Sequence, residues 1–376
     1  MKTWLVVLLV ILLLIILGSG GYFGYQYYQN NSQPKLVQQT PIPAPTPKPL
    51  EKFTFDNLSK RDYSGSAIEI REPLNADTAQ GDGYNSSVFF FISDDKKVSG
   101  QINIPIPPTS NPEPEATDSA EMADTPAPTW VMPTNGKLPV IVMIRGFVDR
   151  DMYETGIGTS RAAGVLAANG YITLSLDFLG YGQSDPPMPS VSERQDTQEY
   201  DVWWERFNNP VQVLNLLASI KNLPQADPDK IGIWAHSNGG QIALSVLEIS
   251  QKAYPTTLWA PVTKPFPFAI LFFTDEFEDE GKALRAEVAR LEKDYDVRQY
   301  SITDYLDRII APLQIHQGSA DEAVPLKWSN EFVTKLKNLK KDYKYYTYPN
   351  ADHNMAGSWN TVINRDLVFF EKYLYD

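Results

Sequence analysis

"KIGIWAHSNGGQIALSVLEI", residues 230–249, changes character in its middle. Its first six residues are the short apolar run of a buried strand, and its last ten carry the apolar spacing of a helix. Between them Ser237 stands in a Gly-rich corner with Gly239 and Gly240. A strand that turns sharply into a helix, with a Ser at the turn, is the context of a nucleophile elbow, Gly-x-Ser-x-Gly. The corner must be tight enough to push the hydroxyl above the sheet, so the flanking residues must be small. Ala235 replaces the first Gly, a departure of one methyl group. Most serines beside glycine only form turns, so this stretch by itself leaves both readings open.

Working outward, the flanking segments alternate. "SSVFFFISDD" and "KVSGQINIPIP" read as two antiparallel strands. "LPVIVMIRG", "YITLSLDF", "KIGIWA", "TTLWA", "PLQIHQG" and "YKYYTYP" are short apolar runs of the kind buried in parallel sheets. "SRAAGVLAANG", "NPVQVLNLLASIKN", "QIALSVLEIS", "WSNEFVTKLKNLKK" and "NRDLVFFEKYLY" read as helices between and after them. This alternation predicts an α/β domain with a doubly wound, mostly parallel sheet whose functional loops lie at the carboxyl ends of the strands. Residues 262–308, with "FPFAILFFTDEF" and the amphipathic "KALRAEVARLEKDY", are too long for a connection and are expected to cap that edge.

A nucleophilic Ser needs a base, and the base needs an orienting carboxylate, here in the chain order Ser, Asp or Glu, His. The 376-residue chain has three histidines, His236, His316 and His353. His353 follows the strand "YKYYTY" and Asp321 follows "PLQI", so both fall in loops on the edge that carries Ser237. Glu322 and Asp352 are the competing carboxylates, and loop position favours Asp321. His236 reads as a prop of the turn or a pocket residue, and His316 as a structural histidine. The oxyanion donors are expected to be the backbone amides of Asn238 and Phe147. Arg145, just before Gly146, either meets a substrate carboxylate or pairs with Asp149 or Asp151, the salt bridge being the preferred reading. Arg145, His236, Trp203 and Trp204 are the candidate pocket residues.

Several classes are excluded by composition. The net charge of −13 leaves no basic surface for nucleic acid. With no Cys and three His, neither thiolate nor His-rich metal sites are available, and no metal or other cofactor is expected. Hydrophobic residues make up 43% of the chain, enough for one large core.

The amino terminus departs from this pattern. Trp4–Leu17 is unbroken apolar sequence, and "GSGGYFGYQYY" extends it toward the about 20 residues that span a bilayer. Residues 1–25 read as a single-pass anchor with the remainder extracytoplasmic, or alternatively as a signal peptide cleaved before secretion. Residues 26–50 end in "TPIPAPTPKP" and read as a Pro-rich spacer, and 51–376 as the catalytic domain. Within that domain 107–136 reads as an acidic, Pro-rich, disordered insertion.

"KIGIWAHSNGGQIAL", "IHQGSADEAVPLKWSNEF", "YYTYPNADHNM", "DFLGYGQSD" and "RGF" together resemble the α/β-hydrolase catalytic domain of the prolyl oligopeptidase (S9) serine peptidases, including the dipeptidyl aminopeptidase and acylaminoacyl-peptidase branches. The resemblance spans residues 86–376 and implies Ser237 as nucleophile, Asp321 as acid and His353 as base. Only about thirty-five residues separate the spacer from the first paired strands, too few for the propeller of larger members. The expected function is a membrane-anchored serine-type peptidase acting on small peptides through an acyl-enzyme. The alternatives are a carboxylesterase on small or acyl esters and a non-catalytic binding module on the same fold.

Overall fold

The computed structural model describes residues 3–32, 48–74, 83–107, 130–187, 201–275 and 277–375. The Pro-rich spacer beyond residue 32 and most of the acidic insertion, 108–129, lie outside the described residues. The chain divides into two compact units, 1–47 and 48–376.

In the first unit, helix α1 (Thr3–Ser32) ends seven residues beyond the sequence-based anchor boundary at 25, because no charge interrupts it. It is long and apolar enough to cross a membrane, and its candidate span, Val10–Asn30, buries nothing within the protein. Toward its end Tyr22, Phe23, Tyr25, Tyr27 and Tyr28 project as exposed rings.

In the second unit nine strands form one sheet: β1 (Glu69–Pro73), β2 (Tyr84–Ser93), β3 (Lys96–Pro105), β4 (Leu138–Ile144), β5 (Ile172–Leu176), β6 (Ala226–His236), β7 (Thr256–Trp259), β8 (Leu313–Gly318) and β9 (Tyr343–Tyr348). Their order is β1-β2-β3-β5-β4-β6-β7-β8-β9. The β1–β2, β2–β3 and β3–β5 pairs are antiparallel, and every pair from β5 to β9 is parallel. The parallel strands are Val/Ile/Leu-rich because both faces are covered; all seven residues of β4 are buried. Strand β1, "EIREP", is exposed throughout and lacks the apolar alternation by which a strand is read from sequence.

Each strand residue contributes to the face its parity dictates. Val140, Val142 and Ile144 join the core shared with α2 (Phe55–Ser59), α4 (Asp201–Ser219), α5 (Asn238–Ser250) and α8 (Leu326–Asn338). Ile141 and Met143 face the opposite core, shared with α3 (Ser160–Ala168) and α9 (Trp359–Leu374). Leu50, assigned to the spacer from sequence, is fully buried with Phe53, Phe55 and Leu58, so the folded unit begins before it.

From β4 the chain runs out to β5 through α3 and then crosses back to β6 on the other side of β4. The order reverses between β4 and β6, so a crevice opens outside their carboxyl ends. Two loops meet there, 145–147 after β4 and Ser237 after β6. Segment 261–308, including α6 (Phe268–Leu271) and α7 (Lys282–Asp294), contributes Ile270 and Leu284 to the same crevice.

Candidate active site

Ser237 is held at φ 57°, ψ −123°, a region that residues with a Cβ rarely occupy and that costs about 1–3 kcal/mol. The corner is fixed by backbone bonds: the Ser237 amide donates to Trp259 O at 2.9 Å, and its carbonyl accepts from Val262 N at 3.0 Å. Gly239 is required here, because a Cβ on it would lie 2.2 Å from Ile144 O. Gly146 has the same role across the crevice, where a Cβ would sit 2.9 Å from Ser237 Cβ. Ala235 lies within β6, opposite Ile144 and Leu258, so its methyl packs in the sheet and never enters the turn.

A Ser at the start of a helix ordinarily caps it. Ser237 does not: its hydroxyl makes no capping bond to α5 and has no hydrogen-bond partner among the described residues. Half-buried at the corner, it is reachable from solvent.

His353 and Asp321 are brought together directly. His353 Nδ1 lies 2.9 Å from Asp321 Oδ2 and 3.1 Å from Oδ1. Asp321 is clamped on both oxygens: Oδ1 accepts from Val324 N (2.8 Å) and Ala323 N (3.0 Å), and Oδ2 from Gln317 Nε2 (2.9 Å). Gln317 is itself fixed by the Ser329 hydroxyl at 2.7 Å. Burial alone would raise the Asp321 pKa, but the His353 hydrogen bond and charge, with the Val324 and Gln317 donors, outweigh it and hold the carboxyl below its ordinary value. An ionised Asp321 accepts a hydrogen bond from Nδ1–H, so that in the neutral ring Nε2 is the bare nitrogen; it has no partner among the described residues. The competing carboxylates are placed otherwise. Asp352 Oδ1 accepts from Asn354 N and Ala356 N, closing a turn, and Glu322 is exposed.

His236 joins the corner to the His353 loop. Its Nε2–H donates to the His353 carbonyl at 3.0 Å, and the two rings lie 4.6 Å apart. Burial, and then the neighbouring His353 charge, push its pKa down to about 4, so it is a neutral ring at pH 7.

The crevice is a cavity of about 370 Å³ lined by Arg145, Phe147, Trp203, Arg206 and Asn238 among others. The amides of Phe147 and Asn238 donate to no protein acceptor among the described residues. Of the four pocket residues expected from sequence, Arg145 and Trp203 line this cavity. His236 lines a separate one of about 200 Å³ with Trp234 and Trp359, and Trp204 packs edge-on against Phe53 in the core. Trp203 is almost fully buried against Phe207 and Phe266 and forms part of the cavity wall.

Arg145 corrects the salt bridge expected with Asp149 or Asp151. It is buried, with its guanidinium over the rings of Tyr181 (4.2 Å) and Tyr153 (4.5 Å), and it donates to the carbonyls of Gly146 (2.9 Å) and Asp177 (3.1 Å). Its bond to the Gly146 carbonyl fixes the peptide that carries the Phe147 amide.

Residues 205–376 match the model of the prolyl oligopeptidase family, Peptidase_S9. The carboxyl-terminal part of the chain is thus similar to that family. A curated relative, the "Uncharacterized peptidase YuxL" of Bacillus subtilis (strain 168), is 23% identical over 206 residues, which cover 51% of this chain and 28% of that protein. The chain therefore spans little more than a quarter of that relative. Among solved structures, Acetyl Xylan Esterase 1 from Thermoanaerobacterium sp. JW/SL YS485 superposes with a TM-score of 0.54 at 14% identity, over 85% of this chain and 94% of that one. The acylaminoacyl peptidase of Pyrococcus horikoshii gives 0.52 at 20% identity, over 78% of this chain and 42% of that one. Both likenesses are of fold, and the fold is that of an α/β hydrolase. Trp203 and residues 145–147 precede the matched family segment, which begins at the residue before Arg206.

Proposed function

We propose that this chain is a serine hydrolase of the prolyl oligopeptidase (S9) type, cleaving peptide or amide bonds through an acyl-enzyme, with Ser237 as nucleophile, His353 as base and Asp321 as the orienting carboxylate. The observation that carries the reading is the clamped Asp321 on His353 Nδ1, which leaves Nε2 unprotonated on the edge where Ser237 stands strained and uncapped. His353 Nε2 takes the Ser237 proton as Oγ attacks the carbonyl, and Asp321 stabilises the imidazolium that forms. The Phe147 and Asn238 amides meet the developing oxyanion. His353 then protonates the leaving amine, and a water activated by the same nitrogen hydrolyses the ester to Ser237. No cofactor takes part. Helix α1 holds the domain at the extracytoplasmic face of a membrane.

A carboxylesterase is the second reading. The observation in its favour is extent: the shared fold covers 94% of the acetyl xylan esterase chain and 42% of the acylaminoacyl peptidase chain. Turnover of matched aminoacyl anilides, acyl-peptides and p-nitrophenyl esters by the detergent-solubilised full chain separates the two. The peptidase reading expects anilide and peptide cleavage that disappears in Ser237→Ala. Ester turnover alone would establish the second reading in its place, and turnover equal in the wild type and Ser237→Ala would contradict both.

A further inference from the structure

An arginine in the crevice is left over once the hydrolytic machinery is assigned. Arg206, on α4, lines the crevice together with Phe147 and Asn238. It also faces the narrow space beside it between α4 and α5. Its Nη2 donates to Gln241 Oε1 at 3.1 Å, and Gln241 sits on the first turn of α5, one helical turn from Ser237. A guanidinium has five N–H donors, and this is the only hydrogen bond that Arg206 makes among the described residues.

The other arginines of the folded unit show how unusual this is. Arg61, Arg71, Arg150, Arg285, Arg290, Arg298 and Arg308 each form an ion pair with a carboxylate. Arg145, Arg161 and Arg365 lie over aromatic rings. Among the described residues Arg206 alone has neither partner, in a chain whose acidic residues outnumber its basic ones by 13. Its neighbour Glu205 also reaches the crevice, but that carboxylate is taken by Arg150. Burial pushes the Arg206 pKa down to about 10, which still leaves it charged at neutral pH. Arg206 is half-buried at the cavity wall, and a partly desolvated charge with no counter-ion among the described residues is costly and is retained most readily where a ligand supplies one.

We infer that Arg206 is an anion subsite of the crevice, binding a carboxylate of the substrate close to the scissile carbonyl. The substrate class is then acidic: a peptide or ester with a carboxylate either on the acyl part or on the leaving group. Gln241 is the positioning residue that holds the guanidinium fork toward the cavity, and a planar fork can grip a carboxylate with two parallel bonds. The inference rests on the reading of the crevice as the place of Ser237 chemistry.

The test is kcat/KM of the full chain for matched pairs that differ only in charge. Glutamyl against glutaminyl anilide, and the glutaryl half-ester against its methyl diester, place the carboxylate on the acyl part. Alanyl-glycine against alanyl-glycinamide places it on the leaving group. One of the two arms is expected to show a preference of about 10- to 100-fold for the acid. That ratio is expected to fall to near one in Arg206→Gln, to survive in part in Arg206→Lys, and to shrink in Gln241→Leu, each variant being checked as folded by thermal melting. Equal kcat/KM for acid and neutral members in both arms, in a protein whose Ser237 reacts with a fluorophosphonate, would overturn the anion subsite and leave the hydrolase reading standing. If Ser237 does not react, the hydrolase reading fails by itself. Calorimetric binding of glutarate to the wild type, and its loss in Arg206→Gln, then decides the subsite independently, and equal binding or none overturns it.

Discussion

Among the described residues two histidine–aspartate pairs have nearly the same length, and only one of them keeps a ring nitrogen free. His353 Nδ1 meets Asp321 at 2.9 Å in the loops after β9 and β8, with a fifth of the imidazole side chain exposed. His316 Nε2 meets Asp366 at 3.0 Å between β8 and α9, where both side chains are fully buried. The difference lies in what else each ring touches. His316 is spent on both nitrogens: Tyr348, which accepts from Arg365, donates its hydroxyl proton to Nδ1 at 2.7 Å. Asp366 is spent as well, since it also accepts from Trp259 Nε1 (2.7 Å) and Gln314 Nε2 (3.0 Å). His353 keeps one nitrogen uncommitted. A histidine–carboxylate pair therefore marks a reactive site only when the second ring nitrogen is free.

The pairs should fail in different ways when they are broken. His353→Ala is expected to lower kcat by about ten-thousand-fold while leaving the melting temperature within a few degrees of the wild type. Matched activity and melting measurements on the two proteins check this, and a large stability loss with retained turnover would reverse the assignment of the pairs. Asp366→Asn should do the opposite, because it leaves His316, Trp259 and Gln314 with a poorer acceptor inside the core. It is expected to cost about 3 kcal/mol in urea unfolding, with turnover per folded molecule preserved.

Smaller effects sharpen the contrast between the strained corner at Ser237 and a relaxed core. Ser237→Ala keeps the unfavourable φ, whereas Ser237→Gly removes the Cβ that makes it unfavourable. Both variants should be inactive, but the Gly protein should be more stable than the Ala protein by about 1 kcal/mol in urea unfolding. Glu248, fully buried on α5 with neither oxygen bonded, is pushed well above the ordinary carboxyl pKa, by burial first. The folded state then holds a proton that the unfolded chain gives up, so stability falls as pH rises from the ordinary carboxyl value to the folded one. Glu248→Met is expected to gain about 1–3 kcal/mol at neutral pH and to flatten that slope in pH-resolved unfolding.

The smallest effect concerns His236, whose pKa of about 4 lies below that of an unfolded histidine. Here the unfolded chain binds the proton first, so its contribution to stability is complete above about pH 6.5 and is lost as pH falls toward 4. His236→Gln, which keeps a donor for the His353 carbonyl, should weaken this acid dependence with little change at pH 8.

The open pair, His353 with Asp321, is the more legible of the two in the sequence. Asp321 and His353 follow apolar strands in the required order after Ser237, and local periodicity finds those strands. The buried pair is not readable in that way, since Asp366 looks like any polar residue of the amphipathic run "NRDLVFF" until α9 is laid on β8. Strand β1 escaped detection because an exposed edge strand carries no burial pattern. Arg145 was read as an ion-pair partner of nearby Asp149 or Asp151, but its rings, Tyr153 and Tyr181, reach it only through tertiary packing. Arg206 shows no local signal, because its lack of a charged partner among the described residues is a property of the whole crevice.

The central claim is that Ser237 is the one serine activated by the open pair. Mass-spectrometric mapping of a fluorophosphonate adduct on the full chain tests it most directly. A single phosphonylated residue at Ser237 is expected, absent in Ser237→Ala, formed far more slowly in His353→Ala and unaffected by His316→Gln in the molecules that remain folded. An adduct elsewhere, or equal labelling of the wild type and Ser237→Ala, would contradict it.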